Sequence, residues 1–455
     1  MLAPRLVRIE SYEDRAGIRG FVGALFDADP QLAALLGSGD PARLIALKPN
    51  WVQEVHEYRS EVWVPVITHP TLLVSLIEVL GERIAGPATL CICDAPHTYA
   101  DFAAIARRGG LVDELERLRA RFPALRIELL DLRRERWVRR EGVVTGRLRN
   151  PEDPRGYVRL DLARDSLFFG HHGEGRYYGA DYDSSAVNAH HRGALHEYLI
   201  AGSAMACDLF INLPKLKTHK KTGITCCLKN LVGINGDKNW LPHHTEGTPR
   251  SGGDEFPEET LASSLERRAR KLGMRVMLRA PYLGTWLYRK ARRVGLQVLG
   301  DSESVMRHGN WQGNDTCWRM ALDLNRALLY GRADGGWNAA GNPRNYLAIV
   351  DGIVGGQGNG PLCPDPADSR VLLAGSNPAE VDALACRLMG FDPEDLPIVA
   401  RAFDAHRWPI GTRPLASLRV HDARAGSEIA LRDVAPALPG GFAPHFGWTR
   451  LRGAA

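Results

Sequence analysis

Basic side chains are concentrated in one short segment, between an apolar strand-like run and an apolar helix-like run. Five of them fall within seven residues: Lys215, Lys217, His219, Lys220 and Lys221. A strand, a cationic turn and a helix start can form an anion site, because ammonium groups supply charge and free N–H groups supply directed donors. The pattern therefore predicts an anion site with His219 as its acid or base. A solvated run of charge is the alternative interpretation.

Residues at the ends of other predicted strands could complete the site. Asp94 and His97 follow an apolar run, at the position where doubly wound sheets bind ligands. Asp94 could act as a base, orient His219 or hold a divalent metal; a capped helix start with a satisfied histidine is the alternative. The predicted anion ligands are Lys48, Asn50, Lys215, Lys217, Lys221, Thr225 and Asn230.

A glycine-rich segment follows the predicted strand Tyr346–Val350. Gly355, Gly356 and Gly358 permit positive φ and a close approach of the backbone to a ligand. Asp351 stands at the carboxyl end of the strand and is a further predicted catalytic residue. The segment lacks the G-x-G-x-x-G register of a dinucleotide site. It is interpreted as a ligand-binding loop, with a flexible surface loop as the alternative.

Paired histidines and cysteines give weaker signals. His243 and His244 follow the basic segment and, with His97, are the candidate metal ligands. Adjacent histidines on a strand point to opposite faces, so such a pair seldom supplies two ligands. The H-E-x-x-H and C-x-x-C spacings are absent from the sequence. Cys226 and Cys227 are interpreted either as low-pKa thiolates at a helix start or as buried, inert side chains.

Alternating apolar and amphipathic runs must position these residues. Strands are predicted at Ala88–Asp94 and Arg126–Leu132, and helices at Thr71–Glu82 and Leu111–Phe122. This alternation predicts an α/β fold with a mostly parallel sheet and helices on both faces. The other predicted elements are strands at Leu44–Asn50, Leu209–Ile211, Tyr346–Val350 and Val371–Ala374 and helices at Gly193–Ala206, Asn314–Tyr330 and Pro378–Gly390.

The same patterns divide the chain into five segments. They are an N-terminal helical segment (1–42), an α/β core with the Lys-rich motif (43–255), a basic helical insertion (256–310), a second part of the α/β core with the glycine-rich loop (311–440) and a tail (441–455). The insertion contains Arg267–Arg293, where basic and apolar residues mix. This mixture favours either contact with an anionic membrane surface or a helical hairpin packed on the domain.

Bulk composition narrows the class of protein. The 455 residues are 44% hydrophobic and 24% charged, which is ordinary for a globular chain. We expect neither a membrane-spanning helix nor a signal peptide, because no sufficiently long apolar run is present. Eight scattered cysteines favour a cytoplasmic location. The net charge of +5 arises from the basic insertion, so no nucleic-acid partner is expected.

Four segments, in order along the chain, carry a resemblance to a known family. They are LKPN at Leu47–Asn50, DLFINLPKLKTH with GITCCLKNLVG at Asp208–Gly233, DGIVGGQGNGP at Asp351–Pro361 and SNPAEVDALACRLMGFDP at Ser376–Pro393. The chain resembles the domain of unknown function 362 family over most of residues 43–400. The resemblance implies no settled activity. Many members carry a ferredoxin-like iron–sulfur module, but this chain lacks a C-x-x-C-x-x-C run, so no cluster is expected.

Two functions are consistent with these patterns. The first is an enzyme that binds an anionic small molecule, phosphate- or carboxylate-bearing or sugar-like, in a cleft of lysine, histidine and glycine-loop residues. A divalent metal is its candidate cofactor. The second is a non-catalytic metal- or anion-binding protein that contacts a membrane assembly through Arg267–Arg293. The sequence predicts neither the reaction class nor the oligomeric state.

Overall fold

The structure is a computed structural model that describes residues 2–140, 143–179, 184–261, 263–264, 266–268, 305–423 and 425–453. Most of Arg267–Arg293 lies outside these residues, so the basic helical insertion and its membrane contact stay predictions. In the described part of the chain, no helix combines the length and the apolar character needed to cross a bilayer.

The strands are numbered along the chain. They are β1 Arg5–Arg8, β2 Leu44–Pro49, β3 Ala88–Asp94, β4 Leu125–Asp131, β5 Glu135–Arg140, β6 Val143–Arg149, β7 Tyr157–Asp161, β8 Tyr177–Tyr178, β9 His191–Arg192, β10 Leu195–Ala201, β11 Leu209–Leu213, β12 Lys215–His219, β13 Gly223–Thr225, β14 His244–Thr245, β15 Tyr346–Asn359, β16 Cys363–Ala367, β17 Val371–Gly375, β18 Arg419–Asp422 and β19 Ser427–Ala430.

A large mixed sheet crosses the molecule. Its main path follows the order β19-β18-β1-β17-β15-β11-β2-β3-β4. Neighbouring strands from β15 to β4 run parallel to one another. Their carboxyl ends therefore meet at one edge, which is where α/β sheets bind ligands.

Helices cover both faces of the sheet. They are α1 Arg15–Asp27, α2 Pro30–Gly37, α3 Pro70–Arg83, α4 Phe102–Arg107, α5 Leu111–Arg121, α6 Ser185–His190, α7 Gly202–Met205, α8 Cys227–Asn230, α9 Cys317–Tyr330, α10 Pro378–Leu388 and α11 Pro397–Ala400. Side chains alternate along each strand, so Ile45 and Leu47 join the apolar core with α1, α3 and α5, whereas Leu44 and Ala46 join the core with α9 and α10. The predicted α/β fold with a mostly parallel sheet is confirmed.

Residues 195–201 form a strand, β10, where the sequence pattern predicted a helix over residues 193–206. β10 is buried along almost its whole length and pairs with β7, and only the short α7 follows it. A buried apolar run shows no period that separates a strand from a helix, so pairing with a distant strand decides its conformation.

Both described ends of the chain are integrated into the fold. Within the segment predicted to be helical, β1 inserts between β17 and β18 of the large sheet. At the other end, Phe442, Trp448 and Leu451 are buried in the apolar core. The interpretation of the last residues as a tail is therefore wrong as far as residue 453.

Candidate functional site

A cavity of about 450 Å³ lies beside the carboxyl ends of β2 and β3. Its lining comes from the loops after these strands, from the β12–β13 hairpin and from α8. The basic residues that line it are Lys217, Lys220, Lys221, Lys229 and Lys238 with His97, His219, His243, His244 and His308. Among the described lining residues, Asp94 is the only carboxylate.

Most of the residues predicted from sequence line this one cavity. They are Asn50, Asp94, His97, Lys217, His219, Lys221, Thr225, Asn230, His243 and His244. Lys48 lies directly behind the wall, through its ion pair with Asp94. The predicted residues that do not appear among the described lining residues are Lys215, Asp351, Gly355, Gly356 and Gly358.

Lys217 and His219 lie on a strand, and the prediction of a cationic turn is wrong for them. Residues two apart on a strand point to the same side, and both of these side chains line the cavity. β12 pairs with β13 as an antiparallel hairpin that sets Thr225 opposite Lys217. Only residues 220–222 form the turn. A hairpin therefore builds the cationic wall.

Three of the cavity lysines donate to backbone carbonyls. Lys217, which is fully buried, donates from Nζ to the Val66 carbonyl oxygen at 2.6 Å. Lys238 donates to the Val232 carbonyl oxygen at 2.7 Å. Lys221 also donates to a backbone carbonyl. Carbonyl oxygens satisfy the N–H groups but do not neutralise the positive charge.

Lys229, on α8, is the central cation of the cavity. It is 7% exposed and makes no hydrogen bond with any residue that the structure describes. Burial lowers the pKa of the surrounding basic groups, and the charge of Lys229 lowers it further at Lys217, His219, Lys221, Lys238 and His243. The ammonium group of Lys229 therefore lowers the pKa of five other basic groups around the cavity.

The cavity lysines hold their protons less firmly than ordinary lysines. Burial and neighbouring positive charge bring the pKa of Lys221 to about 8 and that of Lys238 to about 7. The pKa of Lys217 also lies well below its ordinary value, mainly because of burial. A bound anion would favour the protonated form of each group and raise these pKa values.

Asp94 is already neutralised by a lysine. Lys48 Nζ lies 2.8 Å from Asp94 Oδ1, and the Trp51 backbone N–H donates to Oδ2 at 2.7 Å. Burial nevertheless raises the pKa of Asp94. A Cβ atom at Gly233 would collide with both partners of the ion pair, so glycine is required there. The carboxylate therefore contributes little free negative charge to the cavity.

Asn50 Oδ1 and Thr225 Oγ1 are buried oxygen atoms of the lining that have no hydrogen-bond partner in the described part of the protein. Asn50 donates from Nδ2 to Asn230 Oδ1 at 2.8 Å, and Asn230 in turn donates to Asn212 Oδ1 at 2.7 Å. This chain of amides fixes Asn50. Buried polar atoms normally have a partner, so both atoms indicate a polar ligand or water in the cavity.

His219 presents a hydrogen-bond donor. Its Nδ1 accepts from the backbone N–H groups of Lys221 and Thr222 at 3.0 and 3.2 Å, so the neutral ring carries its proton on Nε2. Burial, reinforced by the neighbouring lysines, lowers the pKa of His219 well below its ordinary value. The ring is therefore neutral at pH 7, and its tautomer suits donation to an anion better than proton abstraction.

His243 has the opposite tautomer. Its Nδ1 lies 2.9 Å from the Leu241 carbonyl oxygen, which can only accept, so Nδ1 carries the proton and Nε2 carries a lone pair. Burial and the charges of Lys229 and Lys221 lower the pKa of His243 well below its ordinary value. A neutral ring with a lone pair is the form that a general base requires.

The predicted metal ligands are not grouped as a metal site within the described residues. Candidate metal groups there are His171, His172 and Asp315, and Cys226, Cys227 and Asp382. Neither group includes His97, His243 or His244, although all three line the cavity. The surrounding lysines also oppose a cation at this position.

The start of α8 is occupied by a distant carboxylate. The backbone N–H groups of Cys227 and Leu228 donate to Asp382 at 2.7 and 3.0 Å. They therefore cannot bind an anion, and the predicted use of a free helix start is wrong. Burial raises the pKa of Cys226 to about 12, which favours the interpretation of both cysteines as inert.

Lys215 and Asp351 form a separate buried pair. Lys215 Nζ lies 2.7 Å from Asp351 Oδ2, and both side chains are fully buried. The Tyr12 hydroxyl donates to Asp351 Oδ1 at 2.8 Å, and the His69 backbone N–H donates to Oδ2 at 2.8 Å. These bonds satisfy the carboxylate inside the protein and tie the N-terminal segment to the sheet.

Gly355, Gly356 and Gly358 lie within β15, so the predicted glycine-rich ligand loop is wrong. β15 runs through all three and pairs with β16 along this stretch. A Cβ atom at Gly356 would lie 2.8 Å from Pro364 Cβ and 2.9 Å from Lys217 Cβ. Gly355 and Gly356 thus allow the strands to pack closely, whereas Gly358 has a φ of 73°, the positive φ that the sequence analysis allowed for.

Sequence patterns do not single out Lys229 or Lys238. Lys229 precedes Asn230 in the LKN segment, and its place in that motif is the one signal that could have identified it. Lys238 stands in a loop without a recognisable pattern. Only the fold, which brings the loop after Gly236 close to Asp94, places its side chain in the cavity.

Comparison with known proteins gives one match. Residues 174–387 match the family model described as Domain of unknown function (DUF362). No curated protein and no solved structure matches the chain. The matched range contains the hairpin and α8, and therefore most of the cationic wall, whereas Asn50 and Asp94 precede it. The central region of the protein, residues 174–387, therefore matches the DUF362 family, as the sequence motifs predicted.

Proposed function

We propose that the protein binds an anionic small molecule in this cavity and acts on it as an acid–base enzyme. A phosphate or carboxylate group of the ligand contacts Lys217, Lys221 and Lys229, and His219 donates to it from Nε2. The proposal takes the positive charge from lysine side chains instead of from a metal ion. The glycines of β15 and the Lys215–Asp351 pair have no part in it.

The charge balance of the cavity carries the proposal. Lys217, Lys221 and Lys238 donate to backbone carbonyls, Lys229 has no hydrogen bond to a described residue, and the one described carboxylate of the lining already has a lysine partner. Burying charges without counter-charges is costly, and burial lowers the pKa values of Lys217, Lys221 and Lys238. A ligand with two or more negative charges would offset this cost. The balance therefore favours a phosphate monoester or a polycarboxylate over a single carboxylate.

The histidines favour a proton transfer as the chemical step. His243 offers a lone pair on Nε2, whereas His219 offers a proton on its own Nε2. An O–H or C–H group next to the bound anion could lose its proton to His243. The nearby ammonium groups would stabilise the negative charge that develops on the ligand.

Binding of inorganic pyrophosphate tests the anion site. Titration calorimetry of the full chain at pH 7 should show one binding site. The double substitution Lys221→Met with Lys229→Met should weaken binding by about 100-fold or more, because each charge-assisted hydrogen bond contributes about 1.5–3 kcal/mol.

A matched control removes two positive charges elsewhere. Arg332→Met with Arg419→Met alters exposed side chains, at 60% and 55% exposure, outside the cavity lining. This variant should bind pyrophosphate like the wild type. Equal binding by the cavity variant and the control would contradict the proposal, as would the absence of any anion binding by the wild type.

A further inference from the structure

The cavity is much larger than an inorganic anion requires. Its volume of about 450 Å³ compares with about 30 Å³ for one water molecule in the liquid and falls in the range of about 300–1,000 Å³ for small-molecule sites. A bare phosphate at the lysines would leave most of the space to water. The ligand therefore needs a body in addition to its charged group.

The lining differs in chemistry from one side to another. The hairpin and α8 supply four lysines: Lys217, Lys220, Lys221 and Lys229. The segment after β3 and the β5–β6 hairpin supply a second side, here called the aromatic side: Pro96, His97, Thr98, Tyr99, Trp137 and Val144. Its described residues include no lysine, arginine, aspartate or glutamate. A ligand that matches both sides has a charged end and an uncharged end.

Trp137 is held in place on the aromatic side. Its Nε1–H donates to Glu135 Oε1 at 2.8 Å, and the guanidinium carbon of Arg147 lies 4.9 Å from the ring centroid. Its backbone N–H donates to the Thr98 carbonyl oxygen at 2.8 Å. The indole is 6% exposed and lines the cavity. A fixed aromatic ring loses little conformational freedom when a planar ligand stacks on it.

Two hydrogen-bonding groups on the aromatic side are already engaged. The Trp137 indole N–H binds Glu135, and the Thr98 hydroxyl lies 3.3 Å from His97 Nδ1. A sugar ring would bury several hydroxyl groups here, and hydroxyl groups without partners are costly to bury. An aromatic ring carries no such cost, so the lining favours an aromatic body over the sugar-like body that the sequence left open.

We propose that the ligand is an aromatic anion, in which a phosphate group or carboxylates are attached to a planar ring. The ring lies against Trp137, and the charged group lies at Lys221 and Lys229. This inference rests on the proposed function, because the anion site supplies half of the recognition. It goes further in naming the class of ligand and the residue that selects it.

Methyl phosphate, phenyl phosphate and glucose 1-phosphate separate the alternatives, because they share one charged group and differ in the body. Titration calorimetry of the full chain should show phenyl phosphate binding at least about tenfold more tightly than methyl phosphate, since stacking and burial of the ring add to the common charge. Glucose 1-phosphate should bind no more tightly than methyl phosphate.

Substitutions of Trp137 test the assignment of the aromatic side. Trp137→Ala should abolish the preference for phenyl phosphate and leave the affinity for methyl phosphate within about threefold, because the charged end is untouched. Trp137→Phe should keep most of the preference for phenyl phosphate over methyl phosphate. This result would show that the fold tolerates a substitution at position 137. Trp63→Ala, which removes an indole that stacks on His69 outside the cavity lining, should change neither affinity.

The outcomes distinguish this inference from the proposed function. Equal binding of phenyl and methyl phosphate by the wild type overturns the aromatic ligand but leaves the anion site intact. If Trp137→Ala still binds phenyl phosphate more tightly than methyl phosphate, Trp137 does not select the ring. If glucose 1-phosphate binds more tightly than methyl phosphate, the ligand carries a sugar and not an aromatic ring. Failure of all three esters and of pyrophosphate to bind contradicts the anion site itself.

Discussion

The lysines at and beside the cavity form two sets, and the sets differ in their partners. Lys48 and Lys215 each contact a carboxylate, at 2.8 and 2.7 Å. The second set lines the cavity and contacts backbone carbonyls or no described residue: Lys217, Lys221, Lys229 and Lys238. Lys217 and Lys229 are buried like the first set, whereas Lys221 and Lys238 are partly exposed, so burial alone does not separate the two sets.

Under the proposed function, the difference separates structural charges from ligand-binding ones. A buried lysine with a carboxylate partner is neutralised inside the fold, and the pair fixes elements that are distant in sequence. A buried lysine without such a partner lowers stability unless something else supplies negative charge. If the cavity binds an anion as proposed, these lysines lower the stability of the ligand-free protein in exchange for binding, as functional sites commonly do.

The same substitution should therefore have opposite effects in the two sets. Lys215→Met leaves Asp351 buried without its counter-charge, and we expect it to lower the free energy of unfolding by about 3–5 kcal/mol. Urea denaturation measures this loss. The double variant Lys215→Met with Asp351→Leu should recover part of it, since the uncompensated charge is gone. A wild-type midpoint for Lys215→Met would contradict the structural role of the pair.

Lys221→Met should stabilise the ligand-free protein. The pKa of Lys221 is about 8, far below its ordinary value, so the fold opposes its charge. Replacing the ammonium group with an apolar side chain should raise the free energy of unfolding by about 1–3 kcal/mol, while pyrophosphate binding weakens. Urea denaturation with and without pyrophosphate shows both effects. Destabilisation of the ligand-free variant would place Lys221 in the structural set.

The stability of the ligand-free protein should rise with pH above about 7. In the folded state the pKa is about 7 for Lys238 and about 8 for Lys221, whereas unfolded lysine titrates near 10.4. Between these values the unfolded chain holds protons that the folded protein has released, so the free energy of unfolding increases with pH up to about 10.

Urea midpoints measured at several pH values between 6 and 10 test this dependence. The variant Lys221→Met with Lys238→Met should show a smaller rise than the wild type, and saturating pyrophosphate should also reduce the rise. Identical pH profiles for the wild type and the double variant would show that these two lysines do not titrate as described.

Local patterns predicted the sheet and many of its helices well. β3 coincides with its predicted range and α5 ends one residue earlier than predicted, because a buried strand beside an amphipathic helix has clear periods. β10 was missed because its apolar run fits a helix equally well, and its partner β7 is distant in sequence. The elements that the sequence could not assign are those that non-local pairing determines.

The candidate site was predicted in its residues but not in its local structure. Lys215, Lys217 and His219 alternate with other residues at a period of two, which is a strand pattern. Pro214 and the expectation that lysines are solvated favoured a turn instead. Their burial follows from pairing of β12 with β13 and β15, which the segment alone does not encode.

Sequence also could not separate Lys215 from Lys217. The two residues have the same chemistry and lie two positions apart, yet β12 changes register between them, so Lys215 pairs with Asp351 and Lys217 with Gly356. This irregularity assigns one lysine to a carboxylate and the other to the cavity. A similar limit applies to Lys238, whose role depends on the path of a loop.

Proton uptake on anion binding tests the central claim most directly. Methyl phosphate is a dianion at pH 8, because the second pKa of a phosphate monoester is about 6, so it has no proton to release on binding. It should raise the pKa values of Lys221 and Lys238, and the protein should take up protons as it binds. Titration calorimetry in HEPES and in Tris, which differ in ionisation enthalpy, measures the number of protons taken up per ligand bound. We predict a net uptake of about one proton, reduced in Lys221→Met. Binding without proton uptake would contradict the claim that the cavity lysines gain protons when an anion supplies their counter-charge.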